Sequence, residues 1–289
     1  MSEIVRSCPL CGASGARLFD RREFRGLPVE NHICRTCGFV YQSPRMTEAE
    51  RQDFYREEYR QLYQGQAGPN PKEMVIQYAR AGSILEFIMP YIPQLTNILD
   101  IGCSTGALLQ QLQMVYQAHP YGIEPGDLYR QYAQGLNMQV YPTIHDLPST
   151  SLKTFDMVSL MHVLEHLPDP VDYLQHLREN FLQPKGWLLL EVPNLFAHDC
   201  FEVAHLTSFS PHTLNQVVRR AGFNVTQLRL HGMPRSKLIP LYITLLAQPD
   251  GAVSAPVKPD HLVSLKRQIG FLRRRLVTRL FHDQAWLPI

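Results

Sequence analysis

The chain has 289 residues, 45% of them hydrophobic, which is enough apolar material for one full α/β domain plus a small module, and nothing but its ends reads as disordered. Its 28 basic and 26 acidic side chains give a formal charge of +2, but residues 258–281 alone hold seven Lys/Arg and one Asp. The rest of the chain therefore nets −4, a balance that argues against nucleic acid as a partner.

The first residues carry no apolar signal segment and no 18-residue apolar run follows, so the expectation is a cytoplasmic protein with reduced thiols. Cys8-Pro-Leu-Cys11-Gly12 and Cys34-Arg-Thr-Cys37-Gly38 form two C-x-x-C-G knuckles. Four thiolates in two knuckles match tetrahedral Zn2+, in a zinc-ribbon-like module whose closed shell makes the metal structural. Cys103 and Cys200 have no nearby pair and read as buried thiols. Thr47 to Tyr63 is a capped, charged helix with Phe54, Tyr55, Tyr59 and Leu62 at helical spacing, either a core stripe or a lid. Gly65 to Pro71 is the expected hinge, and Arg80 on the next helix is placed to meet a cofactor carboxylate.

Ile98-Leu-Asp-Ile-Gly-Cys-Ser-Thr-Gly-Ala-Leu-Leu109 reads as a buried strand running into a glycine turn and a helix. Gly102 and Gly106 let the backbone turn close to a ligand, with Cys103 between them in the loop. The spacing is G-x-x-x-G, not G-x-G-x-x-G, and Asp100 two positions earlier would repel a pyrophosphate. An acid there suits a ligand with an ammonium and a sulfonium, S-adenosyl-L-methionine (SAM). A second strand ends at Glu124-Pro125, where α/β folds deliver the carboxylate that accepts ribose hydroxyls. Asp146 follows a third strand, near where an adenine edge would lie. Phe155 to Leu160 reads as a buried strand leading into His162-Val-Leu-Glu-His166-Leu-Pro-Asp-Pro170.

From the Asp-x-Gly loop, Glu124, the His162 to Pro170 string, Glu191-Val-Pro-Asn194, His205-Leu-Thr-Ser-Phe-Ser210 and Ala221-Gly-Phe223, the chain resembles class I SAM-dependent methyltransferases. The branch it resembles includes ubiquinone-type O-methyltransferases and sugar C-methyltransferases. The resemblance implies an α/β, Rossmann-like sheet of seven strands in order 3-2-1-4-5-7-6, the last antiparallel. The bottom-up pattern agrees, with strands near 97–102, 120–124, 138–141, 154–160 and 186–192 alternating with helices near 105–117, 126–135, 168–182 and 211–221. Asp100, Glu124, His162 and Asn194 then sit at carboxyl ends of strands, where such folds bind ligands. The expected division is a zinc-binding module at 1–45, a helical lid and linker at 46–95, a methyltransferase domain at 96–248, and a Pro-rich linker with a basic amphipathic C-terminal helix at 249–289.

His162 and His166 are four apart with Glu165 between them, the spacing of a metal pair, but they read as cofactor-facing and helix-capping respectively. In the sugar C-methyltransferases a Tyr-His-Glu-His block supplies the base. Here the aligned block is Glu202-Val-Ala-His205, so His205 is the candidate general base and ketosugar C-methylation is put in doubt. The expected reaction moves a methyl group from SAM to an oxygen, secondarily a carbon, of a small molecule, sugar or glycan. The alternatives are an RNA methyltransferase gripping nucleic acid with its zinc module, and a SAM-binding partner protein without catalysis. In the C-terminal helix Leu262, Leu265, Ile269, Leu272, Leu276 and Leu280 form one apolar stripe among basic residues. Residues 258–281 are thus expected to pack this stripe on their own domain or a second subunit, or to lie on the inner face of a membrane.

Overall fold

The computed structural model describes residues 3–54, 68–148, 155–250 and 256–288. In chain order it begins with a hairpin of β1 (Ala16–Phe24) and β2 (Leu27–Cys34), followed by β3 (Val40–Gln42) and helix α1 (Glu48–Asp53). Thr47 and Glu50 cap α1 reciprocally, side chain to backbone in both directions. Tyr55, Tyr59, Leu62 and Tyr63 of the expected lid, and Gly65 of the expected hinge, lie outside the described residues. Helix α2 (Pro71–Ile88) starts at the Asn70 cap, with Pro71 supplying the preset φ of a first helical turn.

The central sheet follows the alternation of apolar runs and amphipathic stretches. It comprises β4 (Asn97–Ile101), α3 (Ala107–Tyr116), β5 (His119–Ile123), α4 (Asp127–Gln134), β6 (Gln139–Tyr141), β7 (Phe155–Met161), α5 (Pro170–Asn180), β8 (Leu182–Pro193), α6 (Pro211–Arg220), β10 (Phe223–His231) and β11 (Tyr242–Pro249). The strand order is β10-β11-β8-β7-β4-β5-β6, which is the expected 3-2-1-4-5-7-6. β11 runs antiparallel to both of its neighbours. Leu188, Leu189 and Leu190 on β8 are all fully buried, because helices cover both faces and an unbroken apolar run is what such a strand requires.

A second sheet joins the four-cysteine module to the main domain. Its order is β1-β2-β3-β9, and β9 (Thr207–Ser208) comes from the far side of the methyltransferase region. Val40 pairs with Ser208 and Tyr41 with Thr207, while Gln42 donates its amide to the Leu206 carbonyl. The module is therefore built into the domain rather than tethered to it.

The C-terminal helix α7 (Val263–Leu280), followed by the short α8 (His282–Ala285), packs against the domain, but not through the leucine stripe, so of the three expected placements of that stripe the one on its own domain is not what forms. The leucine stripe faces away from the body, and the helix docks through its arginines instead. Gly270 makes this possible, since a Cβ there would overlap the Phe196 carbonyl oxygen.

Candidate active site

β4 ends at Asp100 and Ile101, and the chain turns through Gly102 (φ 72°) and Ser104 (φ 52°) into α3. A cavity of about 660 Å³ opens over this turn. Of the residues predicted to hold the cofactor, Asp100, Gly102, Cys103, Glu124, Pro125, His162 and Arg80 all line it. Gly106 does not. It starts α3 at φ 77°, and a Cβ there would lie 2.6 Å from Met138 Sδ, so its smallness lets the helix pack against α4 and the residue leading into β6. Asp146 is also off the wall: it accepts from Thr143 Oγ1 at 2.7 Å and from the Thr143 amide at 3.0 Å, capping a short turn. Asn194 is structural too, donating to the Pro240 carbonyl and accepting from the Phe196 amide.

The end of the cavity at the glycine turn is acidic. Asp100 is 3% exposed and accepts from Ser159 Oγ at 2.6 Å. Burial pushes its carboxyl up to about 7, with the nearby charge of Glu124 adding to the rise and the Ser159 bond opposing it. Glu124 is preoriented by two backbone amides, Ser104 N at 3.0 Å and Gly126 N at 2.8 Å. The sequence reading missed how far α2 contributes. Glu73, Gln77, Arg80, Ala81 and Ile84, at helical spacing, all line the cavity. Gln77 donates to Ser104 Oγ and accepts from Thr105 Oγ1, tying that helix to the glycine turn. The spacing of these residues was the available signal.

A buried charge network stands beside the loop after β7. His162 adopts a left-handed φ of 57°, with Nδ1 3.3 Å from Glu165 Oε1 and Nε2 3.2 Å from Glu191 Oε1. Burial and Arg80 both oppose a charge on this imidazole, but the flanking carboxylates prevail and its pKa is raised. Glu191 also accepts from Thr244 Oγ1 and contacts His231 Nε2 at 3.1 Å. Arg80 Nε lies 3.2 Å from Glu191 Oε1 and its guanidinium sits over the Tyr242 ring, so it is paired within the protein while bordering the cavity.

The histidine pair that forms is not the one suggested by spacing. His162 turns to the carboxylates, whereas His166 and His205 meet edge to face with ring centroids 4.9 Å apart. Each donates from Nδ1 to a backbone carbonyl, His166 to Ala204 at 2.9 Å and His205 to Cys200 at 2.8 Å. A carbonyl only accepts, so Nε2 carries the lone pair in both rings. Burial lowers both pKa values, that of His166 to about 4, and the imidazoles are neutral near pH 7. Ligand atoms of Glu165, His166 and His205 lie within 4.8 Å of one another, a spacing that suits proton exchange and also suits a divalent cation. His166 borders the cavity, whereas His205 lies behind it rather than on the wall. His166 is not a helix cap.

Cys8, Cys11, Cys34 and Cys37 converge with Sγ atoms mutually within 4.8 Å and closest pairs at 3.6 Å. Four sulfurs about 2.3 Å from a central ion would be spaced in that way. Gly12 and Gly38 take φ 75° and 77°, and each donates its amide to the first cysteine carbonyl of its knuckle. The donor set fits zinc.

A methyltransferase domain family model matches residues 75–228, over half of the chain. The tRNA U34 carboxymethyltransferase of Idiomarina loihiensis is 31% identical over 115 residues, covering 36% of this chain and 35% of that protein. The ubiquinone biosynthesis O-methyltransferase of Actinobacillus pleuropneumoniae is 29% identical over 123 residues, 37% of this chain and 52% of that one. The chain thus spans between about a third and a half of the length of the curated relatives it matches. Among solved structures, the [4+2]-cyclase SpnF superposes with a TM-score of 0.51 at 13% identity, covering 61% of this chain and 81% of that one. A chain from the complex of the Haloferax volcanii Trm112 methyltransferase activator with its methyltransferase gives 0.50 at 13% identity, over 62% and 95% of the respective chains. These superpositions establish the fold alone, and a cyclase among them shows that the fold does not fix the reaction. With the sheet order, the acid-lined glycine turn and the matched family model together, the chain belongs to the methyltransferase domain family of class I SAM-dependent methyltransferases.

Proposed function

We propose that this protein transfers the methyl group of SAM to an oxygen of a small molecule, sugar or glycan held in the cavity beside His166. The observation that carries the reading is that one cavity is lined both by the Asp100–Glu124 acid pair and by a neutral imidazole, His166, backed by His205 and Glu165. SAM supplies an electrophilic methyl when bound. Glu124 is assigned the ribose hydroxyls and Asp100 the cationic end, at the mouth of the glycine turn. His166 takes the acceptor hydroxyl proton on Nε2 as the oxygen attacks, and the adjacent His205 and Glu165 bear on the charge that develops. His205, the base expected from the sequence, becomes a positioning residue in this scheme. The remaining contribution is alignment in a site that excludes water. The four-cysteine cluster is assigned one structural Zn2+.

The test is turnover against SAM affinity. His166→Ala is expected to lower turnover by about 100-fold or more with SAM affinity nearly unchanged, and His205→Ala to lower it less. Glu124→Ala is expected to weaken SAM by about 1 to 3 kcal/mol through lost charge-assisted bonds. Full turnover in both histidine variants would leave proximity as the mechanism. A second reading takes tRNA as acceptor, favoured by the names of the tRNA-modifying relatives. Screening SAM turnover against sugars, phenols and tRNA side by side separates the two. Turnover with tRNA alone would replace the small-molecule reading.

A further inference from the structure

We infer that the outer face of α7 is a docking surface for an anionic lipid bilayer. Leu265, Ile269, Leu272, Leu276 and Leu280 lie along it, each between 48% and 68% exposed, and the exposed Leu262 and Phe281 extend it at either end. The helix cannot roll to hide them. On its opposite side Arg267 donates to the Leu195 and His198 carbonyls and stacks 4.2 Å over Phe201. Arg274 donates to the Ala197 carbonyl at 3.0 Å, and Gly270 packs against the Phe196 backbone. These contacts spend the polar face on the body and fix the apolar face outward, the reverse of an ordinary surface helix.

Charge selects the occupant. From Val263 to Leu280 the helix contains no acidic residue, and Arg273, Arg275 and Arg279, all exposed, flank the stripe on both sides without an ion pair among the described residues. A second copy of this chain would bring the same cations against them, and a single face of an 18-residue helix covers less than the roughly 800 Å² per partner of a stable interface. A bilayer with anionic headgroups satisfies both the stripe and its rim.

The test uses the full chain and vesicles of phosphatidylcholine alone or mixed equally with phosphatidylglycerol, read by co-sedimentation. Partition is expected to favour the mixed vesicles by about a hundredfold, the effect of three basic residues near an anionic surface, and to fall with salt. Ile269→Asp with Leu272→Asp should abolish partition. Replacing Arg273, Arg275 and Arg279 by Glu should remove the preference for phosphatidylglycerol. Unchanged SAM affinity and melting temperature in these exposed-face variants would confirm that they fold. The proposal fails if wild-type protein stays in the supernatant with both vesicle types. It fails equally if sedimentation equilibrium shows a dimer that the Asp substitutions dissociate, which would make the stripe a contact between copies.

Discussion

Asp100 is a case where binding function costs stability. The cofactor-free protein holds this buried carboxyl at about 7, while an unfolded chain releases the proton near its ordinary value of 3.8. Between those values the folded state binds the extra proton, so stability of the free protein should fall as pH rises from about 4 to about 7 and then level off. A cationic ligand reverses the preference. SAM affinity should climb by up to about tenfold per pH unit below 7 and flatten above it, with a proton released on binding. Calorimetry in buffers of different ionisation enthalpy reads both, and an affinity that is flat from pH 6 to 8 would refute the role given to Asp100. Asp100→Asn should raise the melting temperature of the free protein while weakening SAM. The acids at strand ends were legible in the sequence because a charge straight after an apolar run has few structural uses. The tautomers and pairing of His166 and His205 were not, since they depend on carbonyls of Ala204 and Cys200 supplied by a loop with no periodic signature.

At the scale of elements, β8 was readable because burial on both faces demands an apolar run, which Trp187-Leu-Leu-Leu190 supplies, whereas the runs in β4 and β7 are shorter and broken at Asp100 and Ser159, and β5 (His-Pro-Tyr-Gly-Ile) has none. The four-stranded sheet was not readable. β3 and β9 are three and two residues long, too short to show an alternation, and their pairing joins segments far apart in the chain. The stripe on α7 was legible too, but its direction was not, because stacked and hydrogen-bonded arginines can serve as an inward face as well as leucines can. What anchors the start of α7 is Asp260. Its amide donates to the Cys37 carbonyl, and its carboxylate accepts from Ser210 Oγ and Lys266 Nζ, each at 2.6 Å. One residue thus pins the second knuckle, the cap of α6 and the C-terminal helix. Asp260→Ala should cost about 2 to 3 kcal/mol in denaturant unfolding, chiefly through the buried Ser210 bond, and hydrogen exchange should show α7 opening first. Unchanged exchange in α7 would show that its arginines suffice.

For the whole molecule, the four-cysteine module and the proposed acid–base group are mechanically one unit. β9 begins two residues after His205, and the Leu206 amide donates to the Glu165 carbonyl, so the sheet carrying the cysteines also holds the loop carrying the base. Asp100 lies in β4 of the other sheet and Glu124 directly follows the end of its β5. Removing the metal should therefore depress turnover sharply while leaving SAM affinity within about twofold, because only the first of these two supports is lost. Elemental analysis should find one zinc per chain before chelation and recovery of turnover on its return. Full activity in zinc-free protein would separate the module from the chemistry. The same pairing has a consequence during synthesis. The cysteine module is made first, but the strand that closes its sheet emerges about 160 residues later, on the order of ten seconds at ordinary elongation rates. Throughout that interval β3 presents an open edge beside the ribosome, where neighbouring nascent chains offer the same β9 sequence. Strand exchange between neighbouring chains is therefore expected to rise with polysome crowding, and the fraction of dimer recovered after translation at high and at low initiation rates would read it.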